Sequence, residues 1–221
     1  MERDDEDAPL SPERMLALLQ DQQVTVTGRM AAFVPWILAA WGLAWLIGFL
    51  VLWADALGRP GEAPGVAAGL TFAGLLVAAG AVSAVLGIRS GRGLRGTRES
   101  AVVGIVYGNL WWLGSLAIGV IGQALVRAGM PTQALGVFYP SAFIFFAGIM
   151  YVMSGLIWHA YPMMVLGVWS VIVAAVGAFL PQPSHYLLYA LGGGGAFLIV
   201  AAWSAWWVRR AGRRVASAGA R

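Results

Sequence analysis

The chain of 221 residues contains no cysteine, and all 14 of its basic side chains are arginine, with no lysine at any position. Without cysteine there are no disulfides, thiolate metal sites or cysteine nucleophiles. Charge is scarce too, at 11% of residues, where soluble domains carry about a quarter. Carboxylates run out early: Glu99 is the last, and the second half of the chain has none. Histidine is limited to His159 and His185, fewer than the three or four ligands a zinc site needs. Neither an H-E-x-x-H nor a G-x-S-x-G pattern occurs, so metalloprotease and serine-hydrolase signatures are missing. These absences argue against an enzyme and lead to the expectation of no metal, no cofactor and no nucleic-acid partner.

What the chain has instead is apolar length. Hydrophobic residues make up 60% of it, and they fall in blocks near the roughly 20 residues that a bilayer-spanning helix requires. Short alternating segments of the barrel type are missing. The expected fold is all-α and polytopic: a bundle of six transmembrane helices over about 31–53, 65–88, 101–126, 138–157, 162–180 and 185–208. The fourth and fifth blocks meet across "WHAYP", which is short enough to dictate a tight helical hairpin. The expected organisation is an acidic tail with a cytoplasmic amphipathic helix (1–28), the transmembrane domain (29–208) and a basic tail (209–221).

The chain opens "MERDDEDAP", which lacks the basic start of a cleavable signal peptide. Ser11-Pro12-Glu13 then reads as a helix start, with a capping serine, proline in the first turn and a carboxylate at the positive helix end. Met15, Leu18, Leu19 and Gln22 share one face of that helix. They are the candidate docking face, suited to the bilayer surface or to a partner groove. Thr25, Thr27 and Gly28 weaken its end.

Arginine sets the orientation. With the N-terminus inside, 12 arginines are cytoplasmic and only Arg59 and Arg127 are external. The positive-inside rule therefore places both termini in the cytoplasm. Arginine without lysine, alongside abundant alanine and glycine, points to a GC-rich bacterial genome and hence to a bacterial plasma membrane.

Other motifs have an ordinary reading beside a sharper one. "GRGLRG" (91–96) matches the letters of a dinucleotide fingerprint, but it joins two membrane blocks rather than a strand and a helix. Arg89, Arg92, Arg95 and Arg98 read better as a basic cytoplasmic loop over anionic headgroups. No Asp, Glu or Arg falls at the centre of a block, which argues against an ion-coupled carrier. Asn109, Ser115 and Gln123 are the candidates for a polar pathway, or else for interhelical hydrogen bonds. Gly65/Gly69 and Gly104/Gly108 form G-x-x-x-G pairs. These, with Gly192, Gly193, Gly194 and Gly195, are the candidate close-packing positions.

"SPERMLALLQDQQ" followed by "VPWILAAWGLAWLIGF" resembles a group of uncharacterised actinobacterial six-span membrane proteins with an S-P-E-type helix and a P-W-x-x-x-x-W-G-type first span. The resemblance covers residues 11–50. It implies a transporter-like membrane protein, sometimes in the company of ABC transporter components, and carries over no catalytic residue. Three functions stay open at this point. One is a non-enzymatic permease-like or accessory component, with another membrane subunit or an ABC-type ATPase as partner. Another is an autonomous carrier or channel for a neutral or amphiphilic solute, and the last is a structural or regulatory membrane protein.

Overall fold

The structure, a computed structural model, describes residues 12–91 and 97–218, with side chains at 15, 32–90, 97–131 and 133–210. Its elements are α1 (Pro12–Gly58), α2 (Val66–Gly91), α3 (Arg98–Arg127), a 3₁₀ turn (Thr132–Ala134), α4 (Leu135–Ile157), α5 (Tyr161–Phe179), α6 (Ser184–Leu188), a π-helical segment (Tyr189–Gly194) and α7 (Gly195–Ala218). No strand occurs among the described residues. Six helical stretches are long and apolar enough to cross a bilayer, with α6, the π segment and α7 together supplying the sixth over Ser184–Arg210. The protein therefore has the architecture of a multi-pass integral membrane protein. In hydrocarbon, helices are the element that satisfies every backbone N–H and C=O within one segment.

The ends of the spans lie within a few residues of the hydropathy blocks, the first extending to Gly58. One difference concerns the front of the chain. The helix does not end at Thr25, Thr27 and Gly28 but continues from Pro12 to Gly58 as one element. A weak propensity of about 1 kcal/mol or less per residue is readily overridden by flanking helix. Met15 is exposed, and the side chains of Leu18, Leu19 and Gln22 lie outside the described residues.

In α1 the buried positions Leu38, Gly42, Trp45, Phe49 and Leu52 recur every three or four residues, the period of one helical face. That face packs on the π segment and α7. Trp45 sits between Phe49 and Phe197 at centroid distances of 6.0 and 5.1 Å. One turn before Trp45, Trp41 Nε1 donates to Ser83 Oγ of α2 at 2.8 Å. The core is completed by the α4–α5 hairpin.

Two glycine contacts set the closest approaches. A Cβ at Gly148 would fall 2.8 Å from Gly167 O, and one at Gly167 would fall 2.6 Å from Gly148 O. Likewise, a Cβ at Gly194 would fall 2.5 Å from Leu46 N and 2.9 Å from Gly42 O. Without a hydrophobic drive between helices in lipid, such backbone proximity is what holds spans together. Gly148 and Gly167 meet because the hairpin turn is so short. Its helix end is capped by Ala160 N–H donating to Gly155 O at 2.9 Å, with His159 in the left-handed region at φ 53°.

The outer spans are different. α2 leans on α1 and α3 leans on α4, while α2 and α3 barely touch. Gly122 is the one fully buried position in α3.

Gly167→Leu is expected to destabilise the protein by about 1–3 kcal/mol, the usual cost of overpacking, because backbone rather than a side-chain tip stands in the way. Gly104→Leu, which would meet nothing within 4 Å, serves as the control. Thermal unfolding of both variants in the same detergent checks this, and equal midpoints would refute it.

Candidate functional site

The divergence of α2 from α3 leaves an apolar cleft of about 580 Å³. Its walls come from α1 (Trp41, Trp45, Phe49, Leu52), α2 (Gly69, Phe72, Ala73, Leu76), α3 (Trp111, Ser115) and α4 (Leu135–Ala147), with Tyr186 of α6 closing one end. Because the spans alternate in direction, Ala63, Pro64, Leu135 and Tyr186 all lie at the end opposite the chain termini. The cleft thus runs from that distal end toward the middle of the bundle. Its inner end is aromatic: Trp111 meets Phe146 edge-on at 5.6 Å and Tyr151 at 6.0 Å. Gly114 admits the Phe146 ring against the α3 backbone.

Polar groups gather at the distal end. Asp55 accepts from Gly65 N–H at 2.7 Å and lies 3.4 Å from the Arg59 guanidinium. Arg59 also reaches Glu62 at 3.5 Å and donates to Ala63 O at 3.1 Å. This cluster folds the α1–α2 connection over the mouth of the cleft. Across the mouth, Gln182 Nε2 donates to Gln133 O at 3.3 Å. His185 is fully buried, with Nε2 3.0 Å from Gly136 O and Nδ1 without a partner among the described residues. Tyr186 is 1% exposed, and its hydroxyl is buried with no hydrogen-bond partner among the described residues. Tyr189, deeper in the core, pairs with Ser141 Oγ at 2.7 Å.

The residues singled out from sequence scatter around this site. Ser115 lines the cleft. Gln123 donates to Tyr139 Oη at 3.3 Å, an interhelical bond between α3 and α4 near the distal end. Asn109 does neither. Its Nδ2 donates to Ile105 O of its own helix at 2.8 Å, and the side chain is exposed on the outer face of α3. The three therefore form no continuous polar path.

Among the glycines, Gly69 lines the cleft and has open space above its Cα; Gly104, Gly108 and Gly195 also face open space within the chain. Gly65 meets the Arg59 and Asp55 side chains rather than a neighbouring helix. Gly193 packs on the Trp45 ring and Gly192 against Leu188, and only Gly194 meets another helix's backbone. Arg89 and Arg98 are exposed at the end of the bundle away from the cleft mouth; Arg92 and Arg95 lie outside the described residues. No group of three or more metal-ligating side chains occurs among the described residues.

Sequence reasoning missed Tyr186, Phe72 and the aromatic inner end. Their signal was present as an aromatic in each of several spans, but which rings converge depends on helix rotation. The tryptophans divide by location: Trp41 and Trp45 turn inward, whereas Trp36 and Trp112 face outward. Near the other end of the sixth span, Arg210 stacks over Trp206 at 5.0 Å.

No family model, curated protein or solved structure matches this chain.

Polar contacts between spans contribute about 0.6 kcal/mol each on average. A double-mutant cycle of Ser141→Ala and Tyr189→Phe, read by chemical unfolding in detergent, is expected to return a coupling of about that size. A coupling near zero would show that the pair is not formed.

Proposed function

We propose that this integral membrane protein is a non-enzymatic, permease-like binder of a hydrophobic or amphiphilic molecule that enters from the bilayer between α2 and α3. The observation that carries this reading is the cleft itself. Its volume falls within the roughly 300–1,000 Å³ of small-molecule sites, its walls are almost wholly apolar, and it opens sideways where two spans diverge. An ion or a sugar would find no ring of charges or amides inside, whereas a hydrocarbon chain finds aromatic and aliphatic walls throughout. The absence of a buried carboxylate within the cleft fits a ligand that moves or rests without ion coupling.

A second reading, an accessory subunit of a larger membrane assembly, is favoured by α3. That helix rests on α4 alone and turns Asn109 and Trp112 outward. An asparagine turned to hydrocarbon is costly and is better placed against a partner span. On this reading the partner is another membrane subunit or an ABC-type ATPase. Crosslinking from a photoreactive residue at Trp112 in native membranes tests it: a defined heterologous product supports the assembly, and labelling of lipid alone counts against it.

For the principal reading, the full chain in nanodiscs is labelled with an uncharged lipophilic diazirine. Peptides from Trp41–Leu52 and Leu135–Ala147 are expected to be modified, and Gly69→Trp, which fills the cleft without a backbone clash, is expected to suppress that labelling severalfold. Labelling of the outer face of α3 should persist in both proteins as an internal control. Cleft labelling unchanged by Gly69→Trp would overturn the reading.

A further inference from the structure

The cleft has a length and a floor, and together they indicate which half of the bilayer feeds it. Its lining residues run from Trp41 to Leu52 on α1 and from Leu135 to Ala147 on α4. At about 1.5 Å of rise per residue, each stretch is about 16–18 Å long. Half of a hydrocarbon core of about 30 Å is about 15 Å, so the cleft is as deep as one leaflet. We infer that its occupant is an acyl chain of a membrane lipid from the leaflet distal to the chain termini, lying along the spans with its methyl end on an aromatic floor. This rests on the ligand-binding reading above and names the ligand and the leaflet for that same site.

The floor is a continuous chain of rings across the bundle. Between centroids, Trp45 of α1 stands 5.1 Å from Phe197 of α7, and Phe197 5.3 Å from Tyr151 of α4. Tyr151 then lies 6.0 Å from Trp111 of α3, which meets Phe146 at 5.6 Å. On the terminal side of this floor both flanks are tied. Trp41 bonds to Ser83 between α1 and α2. Tyr107 Oη donates to Met150 O at 3.0 Å, and the Tyr107 ring meets Trp158 edge-on at 4.9 Å, joining α3 to the end of α4. Among the described residues, none of Ser83, Tyr107, Met150 or Tyr151 lines the cleft, and no charged side chain does. The cleft is thus blind at mid-bilayer, open sideways and apolar along its length. An acyl chain of the distal leaflet already lies parallel to the spans. It enters by lateral displacement while its polar head stays at the water boundary. A lipid of the other leaflet would have to draw its head through hydrocarbon, at the desolvation cost of every polar group in it.

The test uses the full chain reconstituted in both orientations in phosphatidylcholine vesicles. Phosphatidylcholine carrying a diazirine near the methyl end of one acyl chain is exchanged into the outer leaflet alone and photolysed before lipids redistribute. Trypsin added outside then clips the arginine-rich tail from molecules whose termini face outward, which separates the two orientations. Molecules with protected termini present the cleft to the labelled leaflet. Their peptides Trp41–Leu52 and Leu135–Ala147 are expected to be modified severalfold more than those of clipped molecules. Trp112, exposed at mid-span on α3, should be labelled alike in both and serves as the internal control. Moving the diazirine beside the carbonyl should shift labelling from Trp41–Trp45 to Leu52 and Leu135–Tyr139. Equal cleft labelling in both orientations, or the same residues labelled from both diazirine positions, would overturn the inference. The cleft would then remain a binding site so long as Gly69→Trp suppresses the label. Insensitivity to Gly69→Trp would instead remove the binding site itself.

Discussion

Backbone against backbone at Gly148 and Gly167 is the contact on which the bundle rests. Lipid tails are as apolar as leucine, so burying leucine between spans yields little, and association depends on how closely the helices approach. The α4–α5 hairpin achieves a close approach on both helices through its short turn, and other contacts build outward from it. Gly177 of α5 receives the Tyr189 ring, Tyr189 bonds to Ser141 of α4, and the glycines after Tyr189 let α1 settle at Gly42 and Leu46. α1, α4, α5 and the sixth span thus form a packed centre. α2 and α3 have few such glycine contacts and hang at its edge. The cleft is the space left by that inequality.

Much of the architecture was legible in the sequence because it depends on length and composition. Six apolar blocks, the tight fourth-to-fifth hairpin and the span limits all follow from hydropathy and from the shortness of "WHAYP". What hydropathy does not encode is rotation. Gly104 and Gly108 match the G-x-x-x-G pattern as well as any pair in the chain, yet they face outward, because a pattern names a helix face without naming what stands opposite. Gly148 and Gly167 form no such pattern within either helix. They meet through the way the two helices rotate against each other beyond the hairpin turn, which no spacing within either helix announces.

The candidate site was less legible for the same reason. Asn109 stood out as a polar residue among aromatics, but it bonds to its own helix at Ile105 and faces away from the cleft. Ser115, a less conspicuous residue on the same helix, lines it. Tyr186 was indistinguishable by type from the other tyrosines; what sets it apart is its near-complete burial at one end of the cleft, a property of the assembled fold. An apolar cavity has no sequence motif, since its residues are those of any span.

The π-helical segment Tyr189–Gly194 bears on how the sixth span tolerates change. A π turn accommodates one residue more than the α-helix around it, and Trp169 Nε1 bonds the Gly192 carbonyl within it at 2.7 Å. Each added residue advances a helix by about 100°. The extra residue therefore acts as a phase adjustment between two halves of one rod: it lets Tyr186 face the cleft while Phe197 and Ala201 face α1. Removing a single residue there would leave a smoother helix with its C-terminal half turned to the wrong neighbour. In this protein the π turn at Tyr189–Gly194 sets the angular offset between the residues that close the cleft and those that anchor the span.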